Sequence, residues 1–277
     1  MTRVTCIQNY HNSNQARSLN NFALGCKANT IDIQNWLNNQ IWPNTDIVAF
    51  QGILRGNNVL FKWLVKNQKP YYYIDHAPFF HGYNPTSEWM RVSRSEFMPS
   101  KYKECPSDRW NKYFSSKINI HDWCLSGKPN ILVLPPTSAI KFIYPESKNW
   151  LTETITKLKQ YTDRTIIIRE KPDQPLLDDI GNIVGRSEKI THHIKQDLAN
   201  AHCVVAYSTG SAIEAALQGI PVIINEVSPA YHISNSIEQI ENLQAKDRQS
   251  WLNWMAYNQF TSEEFKSGHA WRILSEN

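Results

Sequence analysis

The sequence lacks any apolar run long enough to span a bilayer, and its first residues lack the apolar core of a signal peptide. It also lacks internal repeats and low-complexity tracts. Its hydrophobic content of 41% and charged content of 19% exclude a disordered protein. We therefore expect an intracellular globular protein without a membrane partner.

Cysteine pairs with metal-ligand spacing are absent as well. There is no C-x-x-C pair, and an odd, widely spaced set of cysteines is typical of reduced thiols. The neighbouring pairs Asp178 with Asp179 and His192 with His193 have no third ligand at a suitable spacing, so we interpret them as surface residues. The sequence predicts neither disulfides nor a metal site. The cysteines are Cys6, Cys26, Cys105, Cys124 and Cys203.

Strand and helix patterns alternate along the chain, which predicts an α/β protein with two halves. A turn-rich stretch at 126–129 separates them, so we place a first domain at 1–126, a second at 127–246, and helices at 247–277 that return to the first domain. The region 75–122 is less regular. Predicted strands lie at 3–8, 46–50, 71–74, 130–134, 164–169, 203–206 and 221–225. Predicted helices lie at 18–25, 33–40, 58–67, 147–161 and 190–198, after 211, and twice within 247–274.

The most informative segment is a short apolar strand followed by a turn of small residues and an Ala-rich helix. Ser208, Thr209, Gly210 and Ser211 form the turn at the start of that helix. The N–H groups at the N-terminus of that helix, together with the hydroxyl groups of Ser208 and Thr209, suit a diphosphate. Glu214 follows about one turn later, where its carboxylate can bind a ribose hydroxyl. The alternative is an ordinary helix cap that binds no ligand.

Residues 91–117 combine many cations with aromatic side chains and few acids. This composition is typical of a surface that binds a polyanion with exposed bases or sugars. The alternative is a solvated region whose aromatic residues pack on the core. The cations are Arg91, Arg94, Lys101, Lys103, Arg109, Lys112 and Lys117, and the aromatic residues are Phe97, Tyr102, Trp110, Tyr113 and Phe114.

Two blocks of the second half resemble a known family. The strand at 164–168 ends in Arg169-Glu170-Lys171-Pro172, and the turn at 208–214 is followed by Gly219-Ile220-Pro221-Val222. These blocks resemble the donor half of GT-B glycosyltransferases, especially the capsule-polysaccharide type, with Lys171 in place of a histidine. The segments 49–52, 71–80 and 91–93, with the tail, are similar to putative bacteriophage glycosyltransferases. The resemblance implies two Rossmann-like domains facing a cleft.

The resemblance also implies roles for individual residues. Asp75, at the end of a predicted strand, would take the proton from an acceptor hydroxyl, with His76 or His81 assisting or replacing it. In a retaining enzyme Asp75 would bind the acceptor instead, and the structural alternative is a cap of the turn before Pro78. Arg169 and Lys171 would bind the diphosphate.

Gly52 and Gly56, which flank Arg55, predict a simple turn, with an acceptor or phosphate loop as the alternative.

The resemblance therefore predicts a metal-independent glycosyltransferase that uses a UDP-linked sugar and no cofactor. We expect a monomer in the cytoplasm, that of a host cell if a phage encodes the chain. The expected acceptor is double-stranded DNA with hydroxymethylated pyrimidines, exposed by base flipping. Two alternatives remain: a carbohydrate or lipid-linked acceptor, or a non-catalytic module that binds nucleotides or nucleic acid. The predicted acceptor-binding residues are His81, Arg91, Arg94, Lys101 and Trp110.

Overall fold

The chain forms two compact α/β units. The computed structural model describes residues 2–9, 13–80, 89–125 and 127–276. Unit 1 comprises Met1–Pro99 and Tyr257–Asn277, and unit 2 comprises Ser100–Ala256. The predicted α/β class is confirmed, because both units contain a parallel sheet with helices.

Unit 1 contains a six-stranded sheet in the order β12-β5-β4-β3-β1-β2. Strands β1 to β4 pair in parallel, whereas β5 pairs antiparallel with β4 and β12. The strands are β1 (Val4–Gln8), β2 (Asn29–Asp32), β3 (Ile47–Gln51), β4 (Tyr71–His76), β5 (Trp89–Arg94) and β12 (Gln259–Thr261). The helices are α1 (Ser13–Cys26), α2 (Ile33–Asn39), α3 (Asn57–Lys66), α10 (Ser262–Lys266) and α11 (His269–Glu276).

The two faces of this sheet bury different helices. On one face, Cys6, Ala49 and Ile74 pack with Phe22 of α1 and Phe265 of α10. The other face is aromatic: the Phe50 ring lies 5.3 Å from the Tyr73 ring and 6.3 Å from that of Phe61 on α3. The sheet is therefore covered on both sides, and its ligand-accessible groups lie at strand ends.

Unit 2 contains a four-stranded parallel sheet in the order β11-β10-β6-β7 and a separate antiparallel hairpin, β8-β9. Its strands are β6 (Asn130–Leu134), β7 (Thr165–Ile168), β8 (Pro175–Leu177), β9 (Ile183–Arg186), β10 (Ala201–Ala206) and β11 (Val222–Ile224). Its helices are α4 (Asp108–Tyr113), α5 (Ser138–Ile143), α6 (Trp150–Leu158), α7 (Ile194–Ala199), α8 (Gly210–Leu217) and α9 (Gln249–Tyr257). Short 3-10 helices occupy Pro145–Lys148, Tyr231–Ile233 and Ile237–Gln239.

The sheet of unit 2 is also buried on both faces. All six residues of β10 are buried, as expected of a central parallel strand. Val133 and Val205 pack on one face with Leu158 of α6. On the other side, α8 contacts β10 and β11.

Residues 100–125 lie in unit 2, whereas the sequence analysis placed a boundary at 126/127. This segment is joined to α8 and its following loop by hydrogen bonds, from the backbone N–H of His121 to Leu217 and from that of Cys124 to Gly219. Trp123 Nε1 also donates to the Lys246 carbonyl at 2.9 Å. At the other end, α10 and α11 contact α1, while α9 lies in unit 2 apart from its last residue.

The described ranges contain no helix that is both long and apolar enough to cross a membrane.

Candidate functional site

The small-residue turn lies at the topological switch point of unit 2. From β6 the chain proceeds to β7 on one side and later to β10 on the other, so connections diverge between β6 and β10. Ligands of open α/β sheets bind outside the carboxyl ends of strands at such a point. The segment Ser208 to Ser211 directly follows the carboxyl end of β10.

The turn leaves its backbone accessible. Thr209 is the N-cap of α8, and its hydroxyl accepts a hydrogen bond from the Ser211 N–H at 3.3 Å. Gly210 is exposed, and a Cβ added there would meet no atom within 4 Å. The first turn of α8 carries no acidic side chain, so the helix itself does not neutralise the positive end of its dipole. This geometry suits a phosphate group.

Helix α8 is fixed at its other end by two features. Arg248 donates hydrogen bonds to the carbonyl oxygens of Ala216 at 2.7 Å and His121 at 2.6 Å. Gly219 follows the helix with φ +76, and a Cβ there would lie 1.9 Å from the Asp122 carbonyl oxygen. The close approach therefore requires glycine.

Three carboxylates lie near the turn: Glu214, which the sequence predicted as a ligand of the ribose, and Glu146 and Glu226, which it did not. Glu214 is half-buried and accepts a hydrogen bond from Gln218 at 3.3 Å. Tyr207, which immediately precedes the turn, donates to Glu146 at 3.2 Å. Burial raises the pKa of Tyr207, and the charges of Glu146 and Glu226 raise this pKa further. Glu146 and Glu226 could not be predicted from the sequence, because they belong to other segments and match no motif.

The predicted diphosphate cations differ in availability. The Arg169 guanidinium is 8% exposed and forms an ion pair with Asp197 at 2.6 Å. It also contacts the His192 ring nitrogen at 2.7 Å and donates to the His192 carbonyl at 2.9 Å. Arg169 therefore has internal partners, and its assignment to the diphosphate stays a prediction. Lys171 is exposed and remains a candidate.

In unit 1, Asp75 belongs to a small network of polar side chains at the carboxyl end of β4. Its Oδ2 atom accepts hydrogen bonds from the Tyr73 hydroxyl at 2.6 Å and from Arg91 at 3.3 Å. Its Oδ1 atom accepts from the His76 backbone N–H at 2.8 Å. Arg91 in turn donates to the Phe97 carbonyl at 2.6 Å. The network therefore fixes the orientation of the carboxylate.

The Asp75 side chain is 26% exposed. Burial acts to raise the pKa of Asp75, but the Arg91 charge, the Tyr73 hydroxyl and His76 outweigh burial, and the pKa falls below its usual value. Asp75 is therefore ionised at neutral pH and able to accept a proton, although a lowered pKa makes it a weak base. His76 is exposed beside it.

The predicted acceptor-binding residues belong to different units and differ in exposure. Arg91 and Trp110 are buried, at 4% and 3% exposure, which does not favour direct contact with an acceptor, and their assignment stays a prediction. Arg91 orients Asp75, and Trp110 stacks on Phe114 at 5.9 Å. Arg94 in unit 1 and Lys101 in unit 2 are exposed, and His81 lies outside the described residues.

The aromatic residues of segment 91–117 mostly serve the core. Phe97 and Phe114 are buried together with Trp110, so these three rings offer no stacking surface. For these three residues, the structure agrees with the alternative interpretation, in which the aromatic side chains pack on the core.

The pairs of potential metal ligands do not converge. Asp178 accepts hydrogen bonds within its own turn, and Asp179 lies near Lys148. His192 contacts Arg169, while His193 caps α7. Among the described residues, no group of three or more His, Cys, Asp or Glu side chains has a metal-binding arrangement.

Two solved structures from Thermosulfurimonas dismutans are similar to this chain. KpsC, beta Kdo 2,7 transferase, has a TM-score of 0.50 and 12% identity, with 99% of this chain and 99% of that chain covered. KpsC, beta Kdo 2,4 transferase, has a TM-score of 0.51 and 8% identity, with coverages of 94% and 92%. No protein-family profile matches, and no curated protein is similar in sequence. At these identities, the similarity supports a glycosyltransferase-like fold.

Proposed function

We propose that the protein is a glycosyltransferase that moves a sugar from a nucleotide-linked donor to a hydroxyl group of a carbohydrate. The observation that carries this proposal is the open Gly210 turn, which begins α8 at the switch point of unit 2. In this proposal unit 2 binds the donor and unit 1 the acceptor, as in the GT-B type.

The donor phosphates would bind the N-terminus of α8. The N-terminus of α8 carries the positive end of the helix dipole, which suits the charge that develops on a departing nucleotide. The N–H groups of Ser211 and Ala212 donate to Thr209 at 3.3 Å. Gly210 therefore offers the exposed backbone position for a phosphate. The exposed Lys171 would add a cation, and Glu214 would bind the ribose. We keep a UDP-linked sugar as the proposed donor.

Asp75 would accept the proton of the attacking hydroxyl through its Oδ1 atom. This atom accepts one hydrogen bond, from the His76 N–H, whereas Oδ2 accepts two, from Tyr73 and Arg91. As the bond from oxygen to the anomeric carbon forms, that proton becomes acidic, so even a weak base can remove it. This role implies inversion at the sugar. In a retaining reaction, Asp75 would orient the acceptor.

A carbohydrate is favoured over DNA as the acceptor for a structural reason. The DNA hypothesis rested on the basic and aromatic segment 91–117, the lack of a membrane signal and the resemblance to phage proteins. Of the aromatic residues in that segment, Phe97, Trp110 and Phe114 are buried and cannot stack on a base. The similar solved structures are described as transferases of the sugar Kdo, which supports a carbohydrate-acting enzyme.

The donor assignment is tested by nucleotide binding. A thermal-shift panel of nucleotide sugars identifies the donor, and calorimetry then compares wild type with Gly210→Val. We expect at least tenfold weaker binding in the variant, because the added side chain blocks phosphate from the backbone. Its thermal stability should be nearly unchanged, since the Cβ position is open.

Gly185→Val is the matched control, because a Cβ at Gly185 also meets no atom within 4 Å, and Gly185 lies in the β8-β9 hairpin. Equal nucleotide affinity in Gly210→Val and wild type would refute the donor site. Mass spectrometry of oligosaccharides and of hydroxymethylated DNA, each incubated with the donor, then identifies the acceptor class. Exclusive modification of DNA would refute the carbohydrate assignment.

A further inference from the structure

Unit 1 has a switch point of its own. From β1 the chain forms β2 on one side and β3 on the other, so its connections diverge between β1 and β3. By the rule that places ligands at such points, a ligand is expected outside the carboxyl ends of these two strands. The parallel pairing of β1 and β3 extends to Cys6 and Ala49, and each strand ends two residues later, at Gln8 and at Gln51.

Gln51 is a buried polar residue at the end of β3. It is 6% exposed, and its Oε1 atom is buried without a hydrogen-bond partner among the described residues. Buried side-chain oxygens are nearly always paired, so an unpaired one requires an explanation. A ligand that donates a hydrogen bond provides one.

Asn57, the residue after the loop 52–56, carries a second side-chain oxygen without a partner within the described ranges. Asn57 is 1% exposed, and its Oδ1 atom is also buried without a partner in the described part of the chain. Its Nδ2 atom donates to the Gln51 backbone carbonyl at 2.6 Å, which assigns the other atom of the amide as the unpaired acceptor. The two orphan oxygens therefore belong to residues that are hydrogen-bonded to each other.

The intervening loop is tightly held. Gly52, Arg55 and Gly56 have φ values of 72, 60 and 96. The Asn9 side chain donates to the Arg55 carbonyl at 3.4 Å. Leu37 Cδ1 would lie 2.8 Å from a Cβ at Gly56. A loop fixed in this way preserves the position of Asn57 at the start of α3.

The same strand end lies beside Asp75. Gln51 pairs in register with Ile74, the residue before Asp75, and the Gly52 N–H donates to the Ile74 carbonyl at 2.9 Å. Neighbouring strands are about 4.8 Å apart, so the backbones at Gln51 and at the proposed base are adjacent.

We propose that the carboxyl end of β3 is a sugar-binding subsite, in which the carboxamides of Gln51 and Asn57 accept hydrogen bonds from hydroxyl groups of the acceptor. This inference rests on the proposed function and specifies its acceptor site. Both oxygens are buried, so the end of β3 must open locally for a hydroxyl group to reach them. Hydroxyl donors fit because both unpaired atoms are acceptors.

The first test measures thermal stability. Gln51→Leu removes an unpaired buried polar group at similar volume, so its melting temperature should equal or exceed that of wild type. Gln259→Leu is the matched control: Gln259 is buried in the same unit, and its Oε1 atom accepts from the Phe79 N–H at 2.9 Å. We expect the control to melt at a lower temperature. An equal loss in both variants would show that Gln51 has a structural partner and would overturn the proposal.

The second test measures sugar binding by the full chain on an array of immobilised glycans. We expect at least tenfold weaker binding of the preferred glycan by Gln51→Leu than by wild type, with unchanged nucleotide affinity. Unchanged glycan binding, or no glycan binding by wild type, would overturn the subsite. A wild-type protein that binds glycans but no nucleotide sugar would refute the proposed function and leave the subsite in place.

Discussion

Arg91 and Arg94 illustrate, at the scale of single residues, how neighbours of one type acquire different functions. Both belong to β5, but Arg91 is buried while Arg94 is exposed. Arg91 lies 3.3 Å from Asp75, and its guanidinium is 5.1 Å from the Tyr73 ring. Sequence alone assigned both arginines to the same acceptor surface, because the buried partners of Arg91 become visible only when the strands are paired.

Arg91→Met is expected to reduce the free energy of unfolding by about 3 kcal/mol, because it leaves a partly buried carboxylate without its cation. Arg94→Met, the control on the same strand, should change it by less than about 0.5 kcal/mol. Urea denaturation measures both. A similar small effect at the two positions would contradict the positioning role of Arg91.

The same pair predicts a pH dependence. Because the folded-state pKa of Asp75 is lowered, its contribution to stability is complete above the usual carboxyl pKa of about 4 and is lost as pH falls through the lower folded value. The stability difference between wild type and Arg91→Met should therefore shrink in acid. A difference that is constant from pH 7 to pH 2 would show that Asp75 is not involved.

Asp75→Asn tests the chemistry. We expect turnover of the preferred nucleotide sugar and acceptor to fall by about 10²-fold or more, because the amide cannot accept the proton. Nucleotide affinity should stay near the wild-type value, since the proposed donor residues are in unit 2. His76→Gln serves as the comparison. Turnover near the wild-type rate in Asp75→Asn would assign the carboxylate a structural role.

At the scale of secondary-structure elements, the sequence predicts an element correctly where the pattern that defines it lies within a few consecutive residues. The apolar run of β10, the small residues after it and the Ala-rich α8 lie as predicted, with Thr209 as the N-cap. Thr261 and Glu264, a local cap pattern in the sequence, form a capping box at the start of α10. These elements needed no distant partner to be recognised.

Other elements depend on such partners and were not predicted. The sequence of β5 has no clear strand pattern, because Arg91 and Ser93 are of residue types that usually lie at the surface. In the structure Ser93 is buried, and its hydroxyl donates to the Glu96 carbonyl at 2.8 Å. Its partner β12 has only three residues and lies far away in sequence, between two helices. Periodicity cannot identify a strand that tertiary hydrogen bonds define.

The candidate site shows the same limit. The Ser208 to Ser211 turn could be located from composition, whereas the pairing of Arg169 with Asp197 and the burial of Trp110 could not. The unpaired oxygens of Gln51 and Asn57 carried no sequence signal beyond the glycines near them. Local chemistry therefore predicted the turn between β10 and α8 better than it predicted the contacts of individual charged side chains.

At the scale of the whole molecule, the two units differ in how the chain builds them. Unit 1 combines both ends of the sequence: β12 from the C-terminal part pairs with β5, and α10 and α11 contact α1. Unit 2 is one continuous segment, Ser100–Ala256, with its own parallel sheet and a buried core. A continuous unit with its own core can in principle fold alone.

We therefore expect the fragment 100–257 to fold without the rest of the chain and to bind the preferred nucleotide sugar. The turn, Lys171, Glu214 and the contacts that fix α8 all lie within it, including Arg248. Affinity within about tenfold of the full chain, measured by calorimetry, together with a cooperative melting transition, would fit this expectation. The fragment with Gly210→Val is the control and should not bind. A fragment that melts cooperatively but has no nucleotide affinity would show that the donor site requires residues of unit 1, and the division of donor and acceptor binding between the units would then be wrong.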